Sequence, residues 1–262
     1  MDRSSAMMKG KKRETMKASF LLLVGMFILV SASFDAAADP VAPTTLSEIS
    51  SSTRTFPGGN KTTNATAGYL TEVKIEGIAV VTEGWQGYYG NISGEVILDD
   101  ADNNTLFSWN LISPGGEILA IRNSSVDWSS GQVSCPNTTH ISTENTLIFP
   151  GIYGDDTDNL TNTFNDTTHP AFSIGSNSFS ADKCNYSLAT YVNDNADTAR
   201  TFNETLLYSE NTKTMIYVGL INPKQEGFKS GTDKHDFQML VGEDGHGNNA
   251  TTRYFFFVEL NP

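Results

Sequence analysis

Basic residues are scarce in this chain. Seventeen Lys and Arg stand against thirty Asp and Glu in 262 residues, a formal charge of −13 with a pI near 4.6. A phosphate backbone is bound by clustered Lys and Arg that displace its counterions, so this balance excludes nucleic acid as a partner. Cysteine is nearly absent: Cys135 and Cys184 are too few for a structural zinc site, and the CxxCH haem attachment motif is missing. No G-x-S-x-G elbow, H-E-x-x-H pair or Walker loop occurs, so the sequence names no reaction. Helical spacing is missing too. Beyond residue 38 no stretch of 11 or more residues shows it convincingly, and only HISTENTLIF (140–149) reads as a turn or short helix, which excludes a helix bundle.

One long apolar run is present, ASFLLLVGMFILVSASF (18–34), with KGKKRETMK before it and DAAADP after it. A basic n-region, an apolar h-region and small residues at a cleavage site are the plan of a secretory signal. Residues 1–38 are therefore expected to be a signal peptide cut after Ala38. A retained N-terminal anchor is the alternative, because 17 residues is the lower edge of a membrane span. Met16 also reads as a start of its own. Six basic and three acidic residues lie in the first 38, so the remaining 224 carry −16, a mutually repelling surface.

Of 22 Asn, eleven stand in N-x-S/T: Asn60, Asn64, Asn91, Asn103, Asn123, Asn137, Asn159, Asn165, Asn185, Asn203 and Asn249. Chance gives about half that number, so these are candidate glycosylation sites, with turn-rich composition as the alternative. Cys135 and Cys184, an even pair in an exported chain, are expected to form one disulfide, two buried thiols being the alternative.

Residues 39–68 are rich in Ser and Thr and poor in bulky apolar side chains, which reads as a disordered linker. From 69 the pattern has period two. Strands are expected at 69–75, 78–82, 92–98, 105–111, 117–122, 171–175 and 186–192, with a hairpin of 205–209 and 214–221 around Glu210 to Lys213. DFQMLVG (236–242) and RYFFFVEL (253–260) read as a last hairpin. The second is apolar on both faces and so reads as a central strand. The expected fold for 69–262 is all-β, a β-sandwich of about ten short, mostly antiparallel strands.

Five phrases, GWQGYYGNISGEVILDD (84–100), SSVDWSSGQVSC (124–135), THPAFSIGS (168–176), KHDFQMLVGEDGHG (234–247) and RYFFFVEL (253–260), together resemble a family of exported, β-rich archaeal cell-surface proteins. The resemblance implies an archaeal origin and a place on the cell surface or in the medium. It carries no activity, ligand or catalytic residue.

Three sets of residues are weighed as sites. Asp100, Asp102 and Asn104 follow the start of a calcium loop, and Asp155, Asp156, Asp158 and Asn159 form a second acidic cluster. Leu111 stands where an EF-hand needs an acid, and solvated turns are the favoured reading. Trp85, Tyr88 and Tyr89 lie among glycines, with Trp109 and Trp128 further on. They suit a sugar-stacking patch, although such residues more often fill a core. His140, His169, His235 and His246 are read as exposed loop residues, His235 and His246 lying too far apart along the chain to share an ion.

The function expected is non-enzymatic: a secreted or surface-attached glycoprotein with a structural, assembly or adhesion role in the envelope, working through self-association or other envelope proteins. No cofactor is expected beyond calcium. The alternatives are a carbohydrate- or calcium-binding module and an extracellular hydrolase with two carboxylates. Membrane contact is expected only through an uncleaved N-terminus.

Overall fold

A computed structural model describes residues 39–54, 67, 70, 72, 84–148, 157–231, 234–243 and 251–261. The chain divides into Met1–Ala37 and Ala38–Pro262, and every described residue belongs to the second unit. The signal segment and the expected strand at 78–82 lie outside the described residues, as does the one at 69–75 apart from Leu70 and Glu72.

The described residues form strands β1 (Trp85–Gly90), β2 (Glu95–Asp99), β3 (Thr105–Asn110), β4 (Gly115–Ile121), β5 (Val133–Ser134), β6 (Phe172–Ile174), β7 (Asn177–Phe179), β8 (Ser187–Ala189), β9 (Asn203–Ser209), β10 (Thr214–Leu220), β11 (Gln225–Glu226), β12 (Lys234–His235), β13 (Phe237–Gly242) and β14 (Phe255–Asn261). Two short helices, α1 (Thr138–Ile148) and α2 (Leu160–Thr163), interrupt them. The all-β class is as expected. So is the short helix near 140, whose first turn is closed by the Asn137 side chain accepting from the His140 amide at 2.9 Å.

An antiparallel sheet in the order β14-β4-β10-β9 forms the centre, and the outer edge of β9 is shared by β8 and β5. The β9–β10 hairpin forms around Glu210 to Lys213 as the sequence predicts, Lys213 taking the left-handed φ of 56° that closes it. Period two then sorts the core. Ile118, Ala120, Leu206 and Tyr217 point to one face, under Met239 and Val241 of the β1–β13 ribbon and Ile141, Ile148, Leu160 and Phe164 of the helical region. Leu119, Ile121, Leu207, Ile216 and Val218 point to the other, under Trp128 and the β6–β7 hairpin residues Phe172, Ile174 and Phe179. Each such side chain taken fully from water contributes roughly 1.5–3 kcal/mol. β4, β9 and β10 are therefore buried on both sides, which explains the near-continuous apolar runs of β4 and β10.

Three expectations are corrected. β13 and β14 do not form a last hairpin: β13 pairs with β1 and β14 with β4. Among the described strands β14 is not central but ends its sheet, its outer edge met by the Val41 bridge. Its two apolar faces arise because Tyr254 and Phe256 reach the helical side while Phe257 meets Trp128 edge-on on the other. Nor is the start of the 39–68 stretch free chain. Pro40 is buried, and Val41 bridges the outer edge of β14 through both amides, to and from Val258 at 3.0 and 2.9 Å.

Gly116, opposite Leu260, has φ +113°, and an added Cβ would land on the Glu259 carbonyl oxygen. Gly116→Ala is expected to lose roughly 2–3 kcal/mol, read as a lower melting temperature, because strain and β14 displacement add.

Candidate interaction surface

β2 and β3 form a two-stranded ribbon of their own. Strand alternation with Val96 opposite Trp109 and Leu98 opposite Phe107 places these four on one face. Phe107 and Trp109 touch with ring centroids 4.9 Å apart, and all four remain 43 to 57% exposed. Leu106, Ile97 and Ile112 are exposed as well. Neither strand contains Lys or Pro, the usual guards of an open edge. An isolated hairpin is marginal in water, and among the described residues no further strand pairs with this one, whose uncharged apolar face stays partly exposed.

The hairpin's tip explains the first calcium candidate. Asp100 accepts from the amides of Asp102 (2.9 Å) and Asn104 (2.8 Å) and from the Asn104 side chain (2.8 Å). These bonds hold its carboxyl below the usual range and let Asn103 take φ 62°. The carboxylate is thus occupied by closing the turn. Asp155 and Asp156 lie outside the described residues. Asp158 offers its backbone oxygen to Trp85 Nε1 at 2.6 Å. Among the described residues no group of three His, Cys, Asp or Glu is placed to hold a metal ion.

The aromatic candidates separate. Trp85 packs inward against Phe164, at 5.9 Å between centroids. Tyr88 meets Phe256 edge-on, while Tyr89 meets Phe228 and His235 with the Lys229 ammonium 5.2 Å over its ring. Tyr88 and Tyr89 stay exposed, so only they and Trp109 keep surface for a ligand. Trp128 is core.

The histidines are not all loop residues at the surface. His169 is buried, accepting from the Cys184 amide at Nε2 (2.9 Å) while Nδ1 meets the Pro170 carbonyl (2.7 Å), so both ring nitrogens are held by backbone. His235 is buried beside Tyr89. His140 stacks on Tyr208 at 3.6 Å, and His246 lies outside the described residues.

Cys135 and Cys184 form the expected disulfide. Of the sequons, Asn91, Asn103, Asn137, Asn165 and Asn185 are exposed, and Asn123 and Asn203 half-buried. Asn159 is corrected: it is 4% exposed, and its side chain caps α2 by accepting from the Asn162 amide at 2.7 Å, which leaves no room for a glycan. Asn60, Asn64 and Asn249 lie outside the described residues.

Sequence reasoning missed a group of buried carboxylates. Glu117 and Glu259 face each other across β4 and β14, 4% and 6% exposed. Burial and then the neighbouring Glu259 push Glu117 up to about 8, and burial raises Glu259 as well. Glu204, wholly buried under β13, accepts from the Leu240 amide at 2.8 Å and is raised by desolvation. Glu144 is paired with Arg122 beneath α1. No known protein family, curated protein or solved structure matches the chain.

Proposed function

We propose that the chain is an exported surface protein of the archaeal kind it resembles, whose work is assembly, and that the apolar face of β2–β3 is its contact with a second copy. The exposed quartet Val96, Leu98, Phe107 and Trp109 carries this reading. Two copies that each carry a net charge of −13 to −16 repel over most of their surfaces, and the uncharged face of Val96, Leu98, Phe107 and Trp109, turned away from Glu95 and Asp99, is where they approach at least cost. Burying the exposed half of each side chain gives roughly 1 kcal/mol, and eight across a two-fold contact support weak, concentration-dependent pairing. The β1–β13 ribbon stacked across the central sheet supports a sandwich as the body that presents the hairpin. Glycans on Asn91, Asn165 and Asn185, and weak calcium at acidic turns, belong to the same extracellular reading.

Leu98→Ser with Trp109→Asp is expected to abolish a concentration-dependent rise in mass by light scattering while leaving the melting temperature within about 2 °C. Salt supplies a second measurement. Raising it from about 0.02 to 0.5 M screens the like charges and is expected to strengthen self-association, whereas an ion-paired interface would weaken. An unchanged oligomer in the double variant ends the proposal. The exposure of Tyr88 and Tyr89 favours a second reading, a carbohydrate-binding module. In that case a glycan array gives a signal that Tyr89→Ala removes and Trp109→Asp does not.

A further inference from the structure

We propose that cleavage after Ala38 completes the fold: the α-ammonium released on Asp39 is the counter-ion of the buried Glu117 and Glu259 pair. The chemistry is hydrolysis of the Ala38–Asp39 peptide bond. Water gives its hydroxyl to the Ala38 carbonyl carbon and a proton to the Asp39 nitrogen, which takes up a second proton from solvent at neutral pH. This inference rests on the export part of the reading above and is independent of self-assembly.

The geometry starts from Val41, bonded both ways to Val258 at 3.0 and 2.9 Å. The Val41–Val258 bridge is a single antiparallel pair, and the chain leads back from it through Pro40 to an exposed Asp39 at the β14 edge. Pro40 is buried and holds the residue before it extended. The Asp39 side chain reaches the same spot from its own side: its Oδ1 lies 2.9 Å from where a Gly175 Cβ would be, and the Gly175 amide donates to Glu259 Oε2 at 2.8 Å. Asp39 therefore lies beside the Gly175 backbone that binds Glu259, and its nitrogen belongs to the residue at that edge.

Among the described residues that pair has no cation. Glu117 Oε2 has no hydrogen-bond partner although the residue is 4% exposed. Around the two acids, the 39–41 segment contributes the Asp39 carboxylate and the β6–β7 hairpin contributes the Ser173 and Gly175 backbone. β10 contributes Leu220, opposite Glu117 in register. None of the three ion pairs of the described residues involves Glu117 or Glu259. A buried carboxylate that keeps an unmet oxygen is costly, and a cation within reach removes that cost.

The test uses the chain exported by its own cells. Its N-terminal residue by mass spectrometry is expected to be Asp39. Acetylating that amine is expected to lower the melting temperature by roughly 5 °C at pH 7.5 and to leave it unchanged at pH 4, where the acids are neutral. Either Glu259→Gln or Glu117→Gln, whichever is the better folded, is expected to shrink the pH 7.5 shift at least threefold. An N-terminus at any other residue, or an acetylation shift that is absent or equal at both pH values, overturns the inference while the hairpin variants still report on assembly. Chain retained inside the cell overturns the export reading and this inference with it.

Discussion

While Asp39 is still in peptide linkage, the fold is expected to weaken by up to about 5 kcal/mol as pH rises from 4.5 to 8. Glu117 moves from an ordinary 4.5 to about 8 in the folded state, because β14 and the β6–β7 hairpin remove it from water and Glu259 faces it. Below pH 4.5 both states hold the proton and nothing is lost. Between 4.5 and about 8 the unfolded chain releases it while the folded chain keeps it, so stability falls by about 1.36 kcal/mol per pH unit. Above 8 the loss is complete. Glu259 and Glu204 are raised in the same direction. The carboxyls of Asp100, Asp127, Asp166, Asp197 and Glu210 are held low and add stability as pH rises, but only through a window below their ordinary values. Thermal unfolding of the full chain in mild detergent, from pH 4 to 8.5, reads the balance. Glu117→Gln is expected to remove most of the slope and to stabilise the chain above pH 7, since its amide can donate to Glu259. An unchanged slope in that variant refutes the account.

The glutamates behind this effect were visible in the sequence without being interpretable. Glu117 opens the apolar run EILAIR and Glu259 lies near the end of RYFFFVEL, each on a strand that period two identifies. What places one opposite the other is the pairing of β4 with β14, across a sequence separation that no local pattern encodes. The same ignorance of pairing produced the wrong last hairpin, because two apolar strands around a Gly-rich turn look alike whether or not they join. It also explains why GWQGYYGN read as a binding patch. Glycines in β1 are accommodated by the β13 side chains, Leu240 over Gly87 and Phe237 over Gly90, which becomes visible only with the partner strand. The hairpin surface was half legible: alternation identified the strands 92–98 and 105–111, but exposure depends on whether another layer covers them, a tertiary fact. The turns were the best predicted, since the Asn211 region and the Asp100 tip are fixed by bonds within a few residues.

Removing the disulfide is expected to cost about 4 kcal/mol, the chain-entropy value for a closed loop of about 50 residues. The loop between Cys135 and Cys184, 49 positions apart, contains both helices and the β6–β7 hairpin, and its two ends converge on one strand. Cys135 follows β5, which pairs with Tyr208 and Ser209 of β9. Cys184 precedes β8, which pairs with Asn203 to Thr205 of the same strand. β5 is only two residues long and β8 three, so their ladders hold little by themselves, and the covalent link keeps both on the edge of β9. The Cys184 amide is further fixed by buried His169. Cys135→Ala with Cys184→Ala is therefore expected to lower the melting temperature by roughly 8–16 °C without abolishing the fold, because β9 remains paired with β10. Hydrogen exchange locates the damage: amides of β6, β7 and β8 should open long before those of β4 and β10. The acid pair sits at the opposite end of the strand order, by β14, so the pH slope should survive in the double variant and the two effects should add. Uniform loss of protection across β4 and β10 would instead make the disulfide a clamp on the whole sheet.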